Sequence, residues 1–238
     1  MTDRRAFLFA AAGGLAGCGG GSPEAPAASV RPVIPAGTFT RGDAAAVPLI
    51  LAPVGPAGLA QWVGEEVIAG LVRAGFFVIG RHWPGLDGGI EDYGARHGEI
   101  AAWLDSLRLS VRPVFYVQSR GGLQLLNYAC DEPESFRKIA CLYPVTDPRV
   151  FPGAGQLLWN AHASTEAMFP WLANTPNLRA ARLRGRPIRI WHGDADTLVP
   201  KSSTTDVFAP AAGAEVVTIP GLGHTQVWIE AIGDWLRA

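Results

Sequence analysis

The chain has 238 residues, of which 48% are hydrophobic and 17% charged, enough apolar material for one generous domain or two small ones. That balance excludes a mainly disordered chain, which would be poor in core residues and rich in net charge. A formal net charge of −1 also excludes nucleic acid as the main partner, because phosphate binding needs a concentrated positive field.

In chain order, the first feature is Arg4-Arg5 ahead of an apolar run from Ala6 to Ala16 that closes on Leu15-Ala16-Gly17-Cys18. The run is too short for a membrane span, which needs about 20 residues, and fits the apolar region of a signal peptide. Arg4-Arg5-Ala6-Phe7-Leu8 resembles a twin-arginine export signal, and Leu15-Ala16-Gly17-Cys18 resembles a bacterial lipobox. The resemblance implies cleavage after residue 17, lipidation of Cys18, and a mature chain anchored at the periplasmic or cell-surface side of a membrane. Gly19 stands where an aspartate would favour inner-membrane retention. Residues 18–36, rich in Gly, Ser, Pro and Ala, read as a tether. One domain is then expected over residues 37–238.

Past the tether, short apolar runs alternate with amphipathic stretches. Strands are expected at Val47–Pro53, Phe76–Gly80, Val114–Gln118, Ile139–Val145, Ile188–His192 and Val216–Ile219. Helices are expected at Leu59–Arg73, Glu91–Leu107, Gly121–Ala129 and Thr225–Arg237. The alternation implies right-handed crossovers and a mainly parallel sheet covered by helices on both faces. In such a sheet the ligand site lies beyond the carboxyl ends of the strands. Residues 146–186 break the alternation, are rich in Pro, Asn and Trp, and read as a lid. Cys130 and Cys141, in apolar surroundings, read as small buried hydrophobes, with a pairing between them left open in an exported chain. No cysteine or histidine spacing marks a metal site.

Three segments that follow strands carry side chains able to do chemistry. Val117-Gln118-Ser119-Arg120-Gly121-Gly122 sets a serine on a strand-to-helix turn, where small neighbours are needed; Gly121 and Gly122 meet that need and Val117 does not. His192-Gly193-Asp194-Ala195-Asp196-Thr197-Leu198-Val199-Pro200 follows the fifth expected strand, and Gly221-Leu222-Gly223-His224 follows the sixth. In this order the three segments resemble those of the α/β-hydrolase superfamily, over most of the chain from Val47 onward.

That resemblance implies an α/β-hydrolase fold with Ser119 as nucleophile, Asp196 as acid and His224 as base, in the chain order expected of the fold. Asp194 and Asp147 remain rival acids. The backbone N–H of Arg120 would be one oxyanion donor, and Gly55, or failing that Val54, the other. His82 and Trp83 are candidates for the pocket rim, and Trp159, Phe169 and Trp171 for the lid. His97, His162 and His192 read as packing or surface residues. The Arg120 side chain reads as a support for the lid, with a substrate carboxylate as the alternative partner.

The implied activity is hydrolysis of a carboxylic ester, on a small or acylated-saccharide substrate, with neither metal nor organic cofactor. A prolyl oligopeptidase-like peptidase and a non-catalytic surface lipoprotein are the alternatives, because fold alone does not establish activity.

Overall fold

A computed structural model describes residues 32–51, 63–81, 93–147 and 175–238. The expectations for Cys18, Gly55, His82, Trp83, Trp159, Phe169 and Trp171 fall outside these residues, as does most of the expected lid.

Seven strands form one sheet in the order β1-β3-β2-β4-β5-β6-β7. They are β1 Thr38–Arg41, β2 Val47–Leu51, β3 Phe76–Arg81, β4 Val114–Gln118, β5 Ile139–Leu142, β6 Ile188–Gly193 and β7 Glu215–Ile219. All neighbours pair in parallel except β1, which runs antiparallel to β3 from Thr38↔Arg81 to Arg41↔Val78. Pro48 is tolerated inside the sheet because β2 begins its pairing with β4 only at Leu49.

The central strands β2, β4 and β5 are buried at almost every position and mostly apolar because both faces of the sheet are covered. Along β4, Phe115 and Val117 enter one core while Val114 and Tyr116 enter the other. The first core is closed by helix α2 (Tyr93–Ser106), α3 (Gly121–Asp131) and α5 (Thr205–Ala212). The second is closed by α1 (Glu65–Arg73) and α6 (Glu230–Arg237). Each wholly buried Leu, Ile or Phe in these layers contributes roughly 1.5–3 kcal/mol relative to an exposed one. Cys130 and Cys141 are free thiols in the first core, and burial pushes the Cys130 thiol up to about 12 and that of Cys141 upward as well.

Several boundaries differ from those read in the sequence. β5 stops at Leu142 instead of Val145, because Tyr143 takes a φ of 36° and turns the chain off the sheet. The last helix begins at Glu230 instead of Thr225. The loop ahead of it carries Trp228 onto Gly70 of α1, where a Cβ would come within 2.1 Å of the indole. Two elements have no counterpart among the sequence expectations: the polar edge strand β1 and helix α5, which contains Pro210. The end of the expected lid segment is part of the helical layer. Helix α4 (Pro176–Arg179) and the 3-10 turn Ala180–Leu183 pack there, with Ala180 and Leu183 wholly buried in the first core.

Candidate active site

Ser119 is the corner between β4 and α3. Its φ of +48° is uncommon for a residue with a side chain and costs of order 1–3 kcal/mol. Three backbone hydrogen bonds hold the corner. Ser119 N–H donates to the Leu142 carbonyl at 3.2 Å, and the Ser119 carbonyl accepts from Gly122 N–H at 3.0 Å and Val145 N–H at 2.8 Å. The crossing is close enough that a Cβ on Gly122 would lie 2.5 Å from the Val145 oxygen. Gly121 and Gly122 open α3, so the positive end of an 11-residue helix faces the serine. Gln118, just before it, is buried and tied by its amide to the Val63 carbonyl and by its oxygen to the Tyr116 hydroxyl.

Asp196 is set by its own loop. Its Oδ1 accepts from the N–H groups of Leu198 at 3.0 Å and Val199 at 2.8 Å, and its Oδ2 lies 2.8 Å from His224 Nδ1. A carboxylate only accepts, so Nδ1 carries the imidazole proton and Nε2 presents a lone pair. That nitrogen lies 2.9 Å from Ser119 Oγ. Burial, with only 5% of the residue exposed, raises the Asp196 carboxyl. The hydrogen bond from His224, the Val199 N–H and the nearby imidazoles outweigh it and leave the group below its usual value.

The acid and histidine loops are joined through their backbones. Ala195 N–H donates to the Leu222 carbonyl at 3.2 Å, and Asp194 Oδ1 accepts from Gly221 N–H at 2.7 Å. Gly193 permits the contact, since a Cβ there would sit 1.9 Å from the Leu222 oxygen. Asp194 therefore steadies the histidine turn, and the carboxylate that meets the His224 imidazole is that of Asp196. Asp147 lies buried after β5.

Two supporting residues complete the site. His192 is fully buried at the end of β6, with Nε2 2.8 Å from the Val199 carbonyl and Nδ1 2.6 Å from Thr205 Oγ. A carbonyl cannot donate, so Nε2 bears the proton and the threonine hydroxyl donates to Nδ1. Burial lowers its proton affinity, and it braces the acid loop as a neutral ring, although Asp196 Oδ2 is only 3.7 Å away. Tyr143 packs its ring against His224 at 4.3 Å between centroids, and its hydroxyl donates to the Thr225 carbonyl. Burial, and then the charge of Asp196, push its phenol upward.

Sequence reasoning did not single out Tyr143. Its signal is a positive φ on an aromatic residue, which appears only in the folded backbone. Of the residues the sequence singled out, Ser119, His224 and Asp196 come together. Arg120 follows the serine directly and is half-buried, with its backbone in helical conformation.

Such an arrangement can move a proton from the serine hydroxyl to the imidazole while the carboxylate holds the ring and balances the charge that forms. The sequence matches no protein-family model and no characterised protein. Solved structures do match. The monoacylglycerol lipase of Paleococcus ferrophilus superposes with a TM-score of 0.61 at 15% identity, over 84% of this chain and 97% of that one. The S-formylglutathione hydrolase of Agrobacterium tumefaciens gives 0.59 at 14%, over 88% and 97%. The 2-hydroxy-6-oxo-6-phenylhexa-2,4-dienoate hydrolase of Rhodococcus sp. strain RHA1 gives 0.58 at 18%, over 84% and 92%. The fold is that of the α/β-hydrolases, and its structural neighbours include a lipase and other hydrolases.

Proposed function

We propose that the protein is a serine hydrolase acting on carboxylic esters. The observation that carries this reading is the unbroken relay Ser119 Oγ to His224 Nε2 at 2.9 Å and His224 Nδ1 to Asp196 Oδ2 at 2.8 Å. A serine hydroxyl is a weak nucleophile at neutral pH. His224 takes its proton as Oγ attacks the ester carbonyl, then returns that proton to the leaving alcohol as the acyl-serine forms. Water, deprotonated by the same imidazole, releases the acid. Asp196 keeps the ring in the productive tautomer and stabilises the imidazolium. The backbone N–H of Arg120 and that of Gly55 are the oxyanion donors in this reading, each worth about 2.7–4 kcal/mol.

Within this reading small acyl groups or acylated saccharides are the favoured substrates over long buried lipids. Export and anchoring through a lipidated Cys18 belong to the same reading, supported by Arg4-Arg5 and the Leu15-Ala16-Gly17-Cys18 sequence.

A fluorophosphonate probe should label the folded protein, and Ser119→Ala should abolish labelling. Folded wild type that stays unlabelled would favour a binding module instead. Nitrophenyl esters compared with dipeptide amides separate the esterase from a peptidase. Metabolic labelling with a fatty acid, lost on Cys18→Ala, tests the anchor.

A further inference from the structure

The end of the sheet opposite the candidate active site has a different chemistry. The loops entering β4, β5 and β6 lie side by side there, linked from Arg137 N–H to the Pro113 carbonyl at 2.9 Å and from Ile139 N–H to the Pro187 carbonyl at 3.0 Å. Residues 107–113, 132–138 and 184–189 carry seven cations against two carboxylates, in a chain of net charge −1. Glu134 is shared by Arg112 at 3.1 Å and Arg186 at 2.9 Å, and Arg189 pairs with Glu215 of β7. Arg108 and Arg137 are exposed and make no ion pair or side-chain hydrogen bond among the described residues.

Beside these cations stand apolar side chains in water. Val111 is 49% exposed, Val33 47% and Ile34 42%. Val33 N–H donates to the Leu107 carbonyl at 3.0 Å, which holds Val33 beside Arg108. A cleft of about 380 Å³ whose lining includes Arg108, Val111, Arg112 and Tyr128, with one carboxylate, Asp105, among them, opens in the same loop.

We propose that this end of the domain docks on an anionic phospholipid surface. Val33, Ile34 and Val111 enter the headgroup boundary while Arg108, Arg112 and Arg137 face lipid phosphates. Exposed apolar side chains interleaved with Arg108 and Arg137, and with Arg112 on its shared carboxylate, match an interface that is apolar within and negative at its rim, whereas a soluble polyanion would use the charges alone. The catalytic end then points away from the bilayer. The proposal holds whether or not Cys18 is lipidated and whatever Ser119 does.

The test is flotation of the full chain carrying Cys18→Ser with phosphatidylcholine vesicles, with and without phosphatidylglycerol, at low salt. Binding should require phosphatidylglycerol. Arg108→Glu with Arg137→Glu should weaken it by more than tenfold, at roughly fivefold per cation removed. Val111→Asp should weaken it on the same vesicles, and Ser119→Ala should bind as the parent does. Arg137→Gln and Val111→Ser repeat the test with milder changes should the stronger variants fail to fold. Equal binding to pure phosphatidylcholine, or unchanged affinity in the arginine variants, overturns the proposal. So does retention on soluble polyphosphate that matches vesicle binding and ignores Val111.

Discussion

At the carboxyl ends of β4, β6 and β7 the polar side chains that meet are few, buried or half-buried, and matched to partners. At the amino ends of β4, β5 and β6 they are numerous, exposed and mostly cationic. Ser119, His224 and Asp196 rest on backbone that is itself tied down: a strained corner with three hydrogen bonds, and two loops joined by Ala195 to Leu222. Arg108 and Arg137 are tied through their backbone N–H groups to the Asp105 and Pro113 carbonyls, but their side chains make no hydrogen bond or ion pair among the described residues. The contrast follows from dielectric. A charge buried beside its partner is worth several times one in water, so position matters to a fraction of an ångström at one end and hardly at all at the other.

Substitutions should separate the ends in order of size. Asp196→Asn keeps the shape but offers an amide N–H₂ or a weaker acceptor to His224 Nδ1, and should lower kcat about 10³–10⁴-fold with the fold intact, measured on a nitrophenyl ester. Gly193→Ala drives a Cβ into the Leu222 oxygen and should cost about 3 kcal/mol in chemical denaturation, with loss of activity because the acid and histidine loops separate.

Acidification should act on the Ser119 end next. His192 has a lowered proton affinity in the fold, so its contribution to stability is complete above its unfolded value of about 6.5 and is lost as pH falls toward its folded value. Asp196, also lowered, adds a loss of the same sign starting near pH 4. Urea midpoints should therefore fall from about pH 6.5 downward, and His192→Gln should flatten the upper part of that fall.

Tyr143→Phe removes only the hydroxyl donated to Thr225 and should cost about 1 kcal/mol, with a larger effect on kcat than on KM. Arg137→Gln at the opposite end should change stability by less than about 0.5 kcal/mol and leave ester hydrolysis untouched. A large loss of activity there would erase the distinction between the two ends.

Much of the fold was legible because parallel strands buried on both faces are continuous apolar runs, and VFYVQ and IRIWHG announce themselves. Thr38–Arg41 does not: it is a polar strand that pairs, among the described residues, with β3 alone, so no run of core residues marks it. TDVFAPAA conceals a helix because Pro210 disrupts its period, yet Phe208, Ala209 and Ala212 are buried and hold it in place. At the site, the spacing from Asp196 to Val199-Pro200 distinguished it from Asp194, and the structure shows why: Val199 N–H closes the turn on Asp196 Oδ1, while Asp194 faces Gly221. The role of Tyr143 depends on contacts with His224 and Thr225, far along the chain, and that of His192 on how the Asp196–Thr205 segment folds back over it, so no local pattern encodes either.

The hydrogen bond from Asn177 N–H to the Thr146 carbonyl, at 3.1 Å, ties the start of helix α4 to the segment just after β5. With its two ends held together in this way, the intervening sequence can grow against only the slow logarithmic rise of closure entropy. Evolution can therefore vary the length between Thr146 and Asn177 without renegotiating a single strand.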